Sequence, residues 1–169
     1  TVVVTGGGSG LGAAIATAAA EGGWTVGVLD RDGDAARSTA AALGDRGVPL
    51  TADTTDEQAI EAALDALTNA TGGFAPDALV ANAGIVRFGP LLDATVDDWR
   101  AVVDVNLTGT FVAARAVARR LVAAGRPGSI VAVASMNGVA PGPNAGAYGA
   151  TKAAVARLTQ QMALEWGPH

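Results

Sequence analysis

A doubly wound α/β sheet, with parallel strands and helices on both faces, is the fold this sequence predicts. Three observations predict it. Short apolar runs alternate with longer helical stretches, the runs are apolar throughout, and the first passes into a helix through the glycine turn Gly6-Gly7-Gly8-Ser9-Gly10. Continuously apolar strands belong to a parallel sheet buried on both faces. Strands spaced by helical patterns form βαβ units, whose crossovers are right-handed.

Each element follows in order. Val2-Val3-Val4-Thr5 is the first strand, and Leu11 to Glu21 the first helix, ending at Gly22-Gly23. Trp24 to Leu29 is the second strand, closed by Asp30, and Asp34 to Leu43 the second helix. Val48 to Ala52 is a third strand at a sheet edge, because Pro49 removes a ladder donor. Thr55 to Thr68 is a helix capped by Thr54 or Thr55, with Asp56 and Glu57 in its first turn. Asp77 to Ala81 and Gly128 to Ala134 are the fourth and fifth strands, separated by one long helix, Asp97 to Ala124. Ala147 to Trp166 is the last helix. No repeat or linker interrupts this order, so residues 1–169 read as a single domain.

Composition narrows the chemistry. Half of the 169 residues are hydrophobic and 16% are charged, which is too apolar for disorder. With no Cys there is neither a disulfide framework nor a thiolate site, and the one His is the terminal His169, so a His-dependent triad or a multi-His zinc site is not expected. A formal net charge of -5 argues against nucleic-acid binding. No apolar run is expected to span a membrane, Glu21, Arg115, Arg119 and Arg120 cutting the Ala-rich stretches. A cytoplasmic protein is the expectation, and no metal is expected.

The glycine turn lies where a doubly wound sheet binds dinucleotides. Glycine lets the backbone approach a pyrophosphate, and the helix behind it offers free N–H groups. Two registers are open, Gly8-x-Gly10-x-x-Ala13 and Gly6-x-x-x-Gly10-x-Gly12; a merely flexible turn is the plainer reading. Asp30 ends the second strand, eighteen residues after Gly12. A carboxylate there accepts from ribose hydroxyls and repels a 2′-phosphate, favouring NAD over NADP, whereas Arg31 beside it could pair with a phosphate.

Tyr148, the only Tyr, precedes Lys152 by four residues at the start of the last helix, so both share a face. A phenol of pKa ~10 is a poor base at neutral pH, but a neighbouring ammonium favours its ionised form. The pair can thus do general acid/base work without His. Ser135 closes the fifth strand, at the end that lines the ligand crevice. Asn106 sits inside the long helix, where Asn is a poor former, and a functional or water-binding role would explain it. Each also has an ordinary structural reading as packing, turn or surface chemistry.

Taken together, these residues resemble the short-chain dehydrogenase/reductase family over essentially the whole chain. Thr5-Gly-Gly-Gly-Ser-Gly-Leu-Gly12 matches its T-G-x-x-x-G-x-G motif, which settles the register, and Tyr148-Gly-Ala-Thr-Lys152 matches its Y-x-x-x-K motif. The resemblance implies a Rossmann-type sheet of order 3-2-1-4-5. It implies that Tyr148 is the acid/base, that Lys152 lowers its pKa and contacts the nicotinamide ribose, that Ser135 polarises the carbonyl, and that Asn106 holds a water. Hydride would pass between nicotinamide and substrate carbon. Gly6, Ser9, Gly10, Leu11 and Gly12 would hold the cofactor with Asp30 and Arg31. Asp53, followed by Thr54, would meet the adenine, and Asn82-Ala83-Gly84 would support the adenosine side, with Ala81 standing where the family often has a first Asn. Val139-Ala140-Pro141-Gly142 looks like a later family motif but precedes Tyr148, so it belongs beside the substrate site.

The family continues past the residues that end this sequence, adding sixth and seventh strands, so the expected sheet lacks them. An NAD-dependent oxidoreductase acting on a secondary alcohol or ketone is the leading expectation. A dinucleotide-binding module without turnover is one alternative. A reductase of 3-oxoacyl groups on an acidic carrier protein, met by Arg119, Arg120 and Arg126, is another. The resemblance also implies a homodimer or homotetramer through the two long helices, 97–124 and 147–166.

Overall fold

A computed structural model describes residues 1–73 and 76–169. Strands β1 (Val2–Thr5), β2 (Val26–Asp30), β3 (Gly47–Thr51), β4 (Ala78–Ala81) and β5 (Ser129–Ala132) form one sheet. Its order is β3-β2-β1-β4-β5 and every neighbouring pair is parallel, as the sequence predicts. The chain runs outward from β1 to β3, then returns to place β4 on the other side of β1. That reversal opens a crevice at the carboxyl ends of β1 and β4.

Among the described residues, six α-helices flank the sheet: α1 (Gly10–Glu21), α2 (Gly33–Ala42), α3 (Glu57–Ala70), α4 (Val96–Val103), α5 (Gly109–Ala123) and α6 (Gly146–Trp166). The pleat of β1 sends Val2 and Val4 to one face, where they pack with Val26, Val28, Ala16 and Ala40 under α1 and α2. Val3 points to the other face, into a larger core with Leu50, Leu64, Leu79, Val117 and Met162 under α3, α5 and α6. Both faces are therefore dry, the physical reason β1 begins with three valines. The edge strands depart from this: β3 carries Pro49 where its ladder partner is Val28, and Val131 on β5 is 53% exposed.

Four expectations need correction. The helix predicted over 97–124 is not uniform, because α4 and α5 are joined by a π-helical segment, Asp104–Thr108. The cap of α3 is neither Thr54 nor Thr55 but Asp56, whose carboxylate accepts from the Gln58 and Ala59 N–H groups. Strand β2 starts at Val26, not Trp24, because Gly22, Gly23 and Trp24 all donate back into the last turn of α1, with Gly23 at φ +92°. Finally, the stretch Val96–Ala123 does meet the length and apolarity of a membrane span. It is a core helix, with 56% of the apolar stretch buried inside the fold.

Candidate functional site

The crevice at the ends of β1 and β4 is a cleft of about 370 Å³. Its lining includes Gly6, Ser9, Gly10, Leu11, Gly12, Asp30, Arg31, Asp53, Thr54, Asn82, Ala83 and Gly84, with Ile85 and Val105 beside them. Apart from Tyr148 and Lys152, that is every residue the sequence assigns to the cofactor, drawn from the turns after β1, β2, β3 and β4.

The glycine turn takes its shape from its neighbours. Gly6 and Gly10 adopt left-handed backbone, φ +63° and +52°, which residues with a Cβ rarely enter. A Cβ on Gly10 would meet nothing within 4 Å, so that position faces open cleft. Gly7 N–H donates to the Leu29 carbonyl (3.0 Å) and Gly8 N–H to Asp30 Oδ2 (3.0 Å), which ties the turn to β2. Asp30 Oδ1 accepts from Asp32 N–H (3.0 Å). Each carboxylate oxygen keeps lone-pair capacity beyond its one backbone bond.

Thr5 is the brace that sequence reasoning passed over. Its buried hydroxyl oxygen accepts from the Asn82 and Ala83 N–H groups, both at 3.0 Å, while Asn82 Nδ2 donates to the Thr5 carbonyl at 3.0 Å. The motif displayed this threonine, but its partners lie 77 and 78 residues away. Thr5→Val keeps the shape and leaves two N–H groups without acceptors, at about 1–3 kcal/mol each. Urea unfolding is expected to show that loss and Thr5→Ser to restore it. A Val variant within ~0.5 kcal/mol of the parent, the usual scatter of inert substitutions, would show that the hydroxyl braces nothing.

The electrostatics of the cleft differ from end to end. α2, α3 and α4 carry side-chain caps (Asp32, Asp56, Thr95) and acids in their first turns. α1 has neither: Ser9 makes no capping hydrogen bond, and its first turn has no acid. α5 and α6 share that lack, but it is the end of α1 that opens on this cleft. Across the cleft, the Asp53 carboxyl lies below its usual range, chiefly through the Thr55 N–H, then the Thr55 hydroxyl, with Arg31 adding charge.

Asn106 and Lys152 meet beside this cleft, Tyr148 lies next to Lys152, and Ser135 stands on a turn packed against the same helix. Asn106 is fully buried in the π-helical segment. Its Oδ1 accepts from Ile85 N–H (2.8 Å), and its Nδ2 donates to the Ile85 carbonyl (3.0 Å) and Thr151 Oγ1 (3.1 Å). Thr151 Oγ1 in turn donates to the Tyr148 carbonyl (2.8 Å). Both amide N–H groups are therefore committed to protein. The Asn106 side chain joins the segment after β4 to the start of α6.

Lys152, 4% exposed, donates from Nζ to the Val133 carbonyl (2.6 Å), and Nζ lies 5.7 Å from the Tyr148 ring centroid. Burial pushes its ammonium below the usual lysine range. A Cβ built on Gly84 would sit 3.6 Å from Lys152 Nζ and 3.3 Å from Asn106 Oδ1, which places both groups against the cleft wall. Ser135 caps a short 3₁₀ turn, Met136–Gly138, its Oγ accepting from Asn137 N–H (3.2 Å). That turn lies hard on α6: a Cβ on Gly138 would fall 2.7 Å from the Lys152 carbonyl carbon, and one on Gly149 2.8 Å from the Asn137 oxygen.

The model of the family described as short chain dehydrogenase matches residues 1–169. The chain belongs to the short-chain dehydrogenase family. The 3-alpha-(or 20-beta)-hydroxysteroid dehydrogenase of Mycobacterium tuberculosis is 40% identical to this chain over 169 residues, covering 98% of this chain and 63% of its own. A short-chain type dehydrogenase/reductase from Mycobacterium marinum superimposes with a TM-score of 0.93 at 35% identity, over 99% of this chain and 67% of that one. An NAD+-bound xylitol dehydrogenase superimposes with a TM-score of 0.91 at 35% identity, over 99% and 65%. The chain spans 63% to 65% of the length of curated relatives it matches.

Proposed function

We propose that this chain carries the cofactor cleft and the acid/base group of an NAD-dependent oxidoreductase interconverting a secondary alcohol and a ketone. The observation that carries the proposal is the Tyr148–Lys152 pair on α6, its buried ammonium set against the wall of a cleft that opens onto a bare helix N-terminus.

The residues present fit a nicotinamide dinucleotide. The open Gly10 position and the uncapped end of α1 suit a pyrophosphate. The Asp30 carboxylate, with lone pairs to spare, suits ribose hydroxyls, and Asp53 with Thr54 forms the far wall for the adenine. When bound, that cofactor supplies or removes hydride at the substrate carbon. The chain's own groups handle the proton. Tyr148 takes it from the alcohol oxygen in oxidation and returns it in reduction. Lys152 holds its ammonium 5.7 Å from the phenol ring centroid, on the same face of α6. Ser135 donates its O–H to the carbonyl oxygen while its own oxygen remains held by Asn137 N–H. Asn106 positions, through Thr151, the turn that carries Tyr148.

Asp30 sets the cofactor preference in this reading. Asp30→Asn keeps an acceptor for the Gly8 N–H but removes the charge that opposes a 2′-phosphate. Fluorescence titration with NADH and NADPH is expected to show the preference for NADH shrinking about tenfold or more, equivalent to ~1.4 kcal/mol. An unchanged ratio would take Asp30 out of that role.

Two other readings meet particular observations. The cleft by itself would serve a dinucleotide-binding module, which would bind NADH but turn over no ketone. The carrier-protein reading is weakened, because Arg120 already pairs with Glu61 and Asp65 and Arg126 with Asp77. Association through the long helices rests on apolar side chains they expose, among them Trp99 and Leu164.

A further inference from the structure

Two segments bracket Tyr148: residues 85–92, which leave the cleft wall after β4, and residues 135–146, which join β5 to α6. They are tied together, Gly89 N–H donating to the Asn144 carbonyl (3.0 Å) with a parallel bridge between Gly89 and Ala145. Asn144 takes left-handed backbone, φ +57°, to make that junction. Leu91 lies over Gly146, where a Cβ would come within 2.7 Å of Leu91 Cδ1. Ser135 stands at one end of the second segment and Tyr148 just past the other, so the surface between these segments is where a substrate carbonyl's substituents must lie.

Its chemistry is one-sided. Leu92 is 99% exposed, Val139 92% and Met136 86%, and Phe88 and Leu91 are exposed as well. Single exposed apolar residues are ordinary, but a group of them beside a reactive centre is a binding surface. Residues 135–146 contain no ionisable side chain, and residues 85–92 contain only Arg87, which pairs with Asp98 at 3.5 Å. Nothing on these segments offers an uncommitted cation to a phosphate or carboxylate. Apart from Ser135, only Asn137 and Asn144 carry polar, uncharged side chains, too few for the several hydroxyls of a polyol, each costly to bury unpaired.

We infer, on the oxidoreductase reading above, that the substrate is an uncharged, predominantly apolar secondary alcohol or ketone, and that Phe88, Leu91, Leu92, Met136 and Val139 select it. A polyol or a sugar phosphate is a poor substrate, although a xylitol dehydrogenase shares the fold.

The test is NADH-dependent reduction of 2-decalone, xylulose and fructose 6-phosphate by the full protein. The kcat/KM for 2-decalone should exceed both others by about 100-fold or more, as when several hydroxyls are left without partners. Val139→Lys should raise KM for 2-decalone about tenfold while the NADH dissociation constant, read by fluorescence, stays within twofold. Equal or better turnover of xylulose, or a Val139→Lys variant with unchanged KM, overturns the assignment of substrate class. If NADH binds but none of the three ketones is reduced, the oxidoreductase reading falls, and this inference with it.

Discussion

Tyr148→Phe is expected to lower ketone reduction by about 10²–10⁴-fold, the range set by a general acid/base, while the NADH dissociation constant stays within a fewfold. The substitution removes one oxygen and nothing else. The ring keeps its place 5.7 Å from Lys152 Nζ, and the bond from Thr151 Oγ1 to the residue 148 carbonyl does not involve the side chain. Lys152 keeps its bond to the Val133 carbonyl. The fold and the cleft should therefore be unchanged, and thermal unfolding of the variant should match the parent. The groups beside Tyr148 are poor stand-ins for the acid. The one His lies at residue 169, Ser135 is a weak acid, and Lys152 is buried against a carbonyl. Steady-state kinetics paired with NADH titration decide the matter. Retained turnover within about tenfold of the parent would show that the proton is handled elsewhere. Lost NADH binding would show instead that Tyr148 shapes the cleft.

Some of this site could be read from the chain because the signal is local. Glycines at 6, 10 and 12 between an apolar strand and a helix fix a turn within one segment, and Tyr148 and Lys152 are aligned by helical spacing alone. What escaped the sequence is set by contacts from far along the chain. The π-helical segment at 104–108 leaves no trace in the apolar pattern. It is stabilised by the Asn106 amide bonding to Ile85, 21 residues earlier, and to Thr151, 45 residues later. The α3 cap shows the same effect over a shorter range. Thr54, Thr55 and Asp56 are all good capping residues. Asp53 captures Thr55, accepting from its N–H at 2.9 Å and its hydroxyl at 2.8 Å, and Thr54 is buried against Gly109, which leaves Asp56 as the cap. Propensity ranks the candidates, and tertiary contacts choose among them.

Gly12→Ala should do more structural damage than any other single methyl in the turn, and the comparison with Gly10→Ala shows what each glycine is for. A Cβ on Gly12 would lie 1.9 Å from the Gly6 carbonyl oxygen and 2.6 Å from Asn82 Nδ2. Neither is a flexible tip: one is backbone, and the other is held by the Thr5 and Gly6 carbonyls. To make room, α1 must lift from the turn, at a cost of about 1–3 kcal/mol for overpacking and a fall in Tm of roughly 2–4 °C for each kcal/mol in a chain of this size. The same movement pulls the free N–H groups of α1 out of register with Gly6, so NADH affinity should drop about 100-fold or more. A Cβ on Gly10 meets no protein atom within 4 Å. Its penalty is the left-handed backbone, about 1–2 kcal/mol, together with a methyl in the space where a pyrophosphate would sit. Gly10→Ala should therefore lose NADH binding with a smaller loss of Tm. Calorimetry and NADH titration on both variants separate the two effects. A Gly12→Ala protein that melts like the parent would mean that α1 does not rest on the turn through that glycine. The order of the two Tm losses follows from where each methyl points: one into backbone, the other into the cleft.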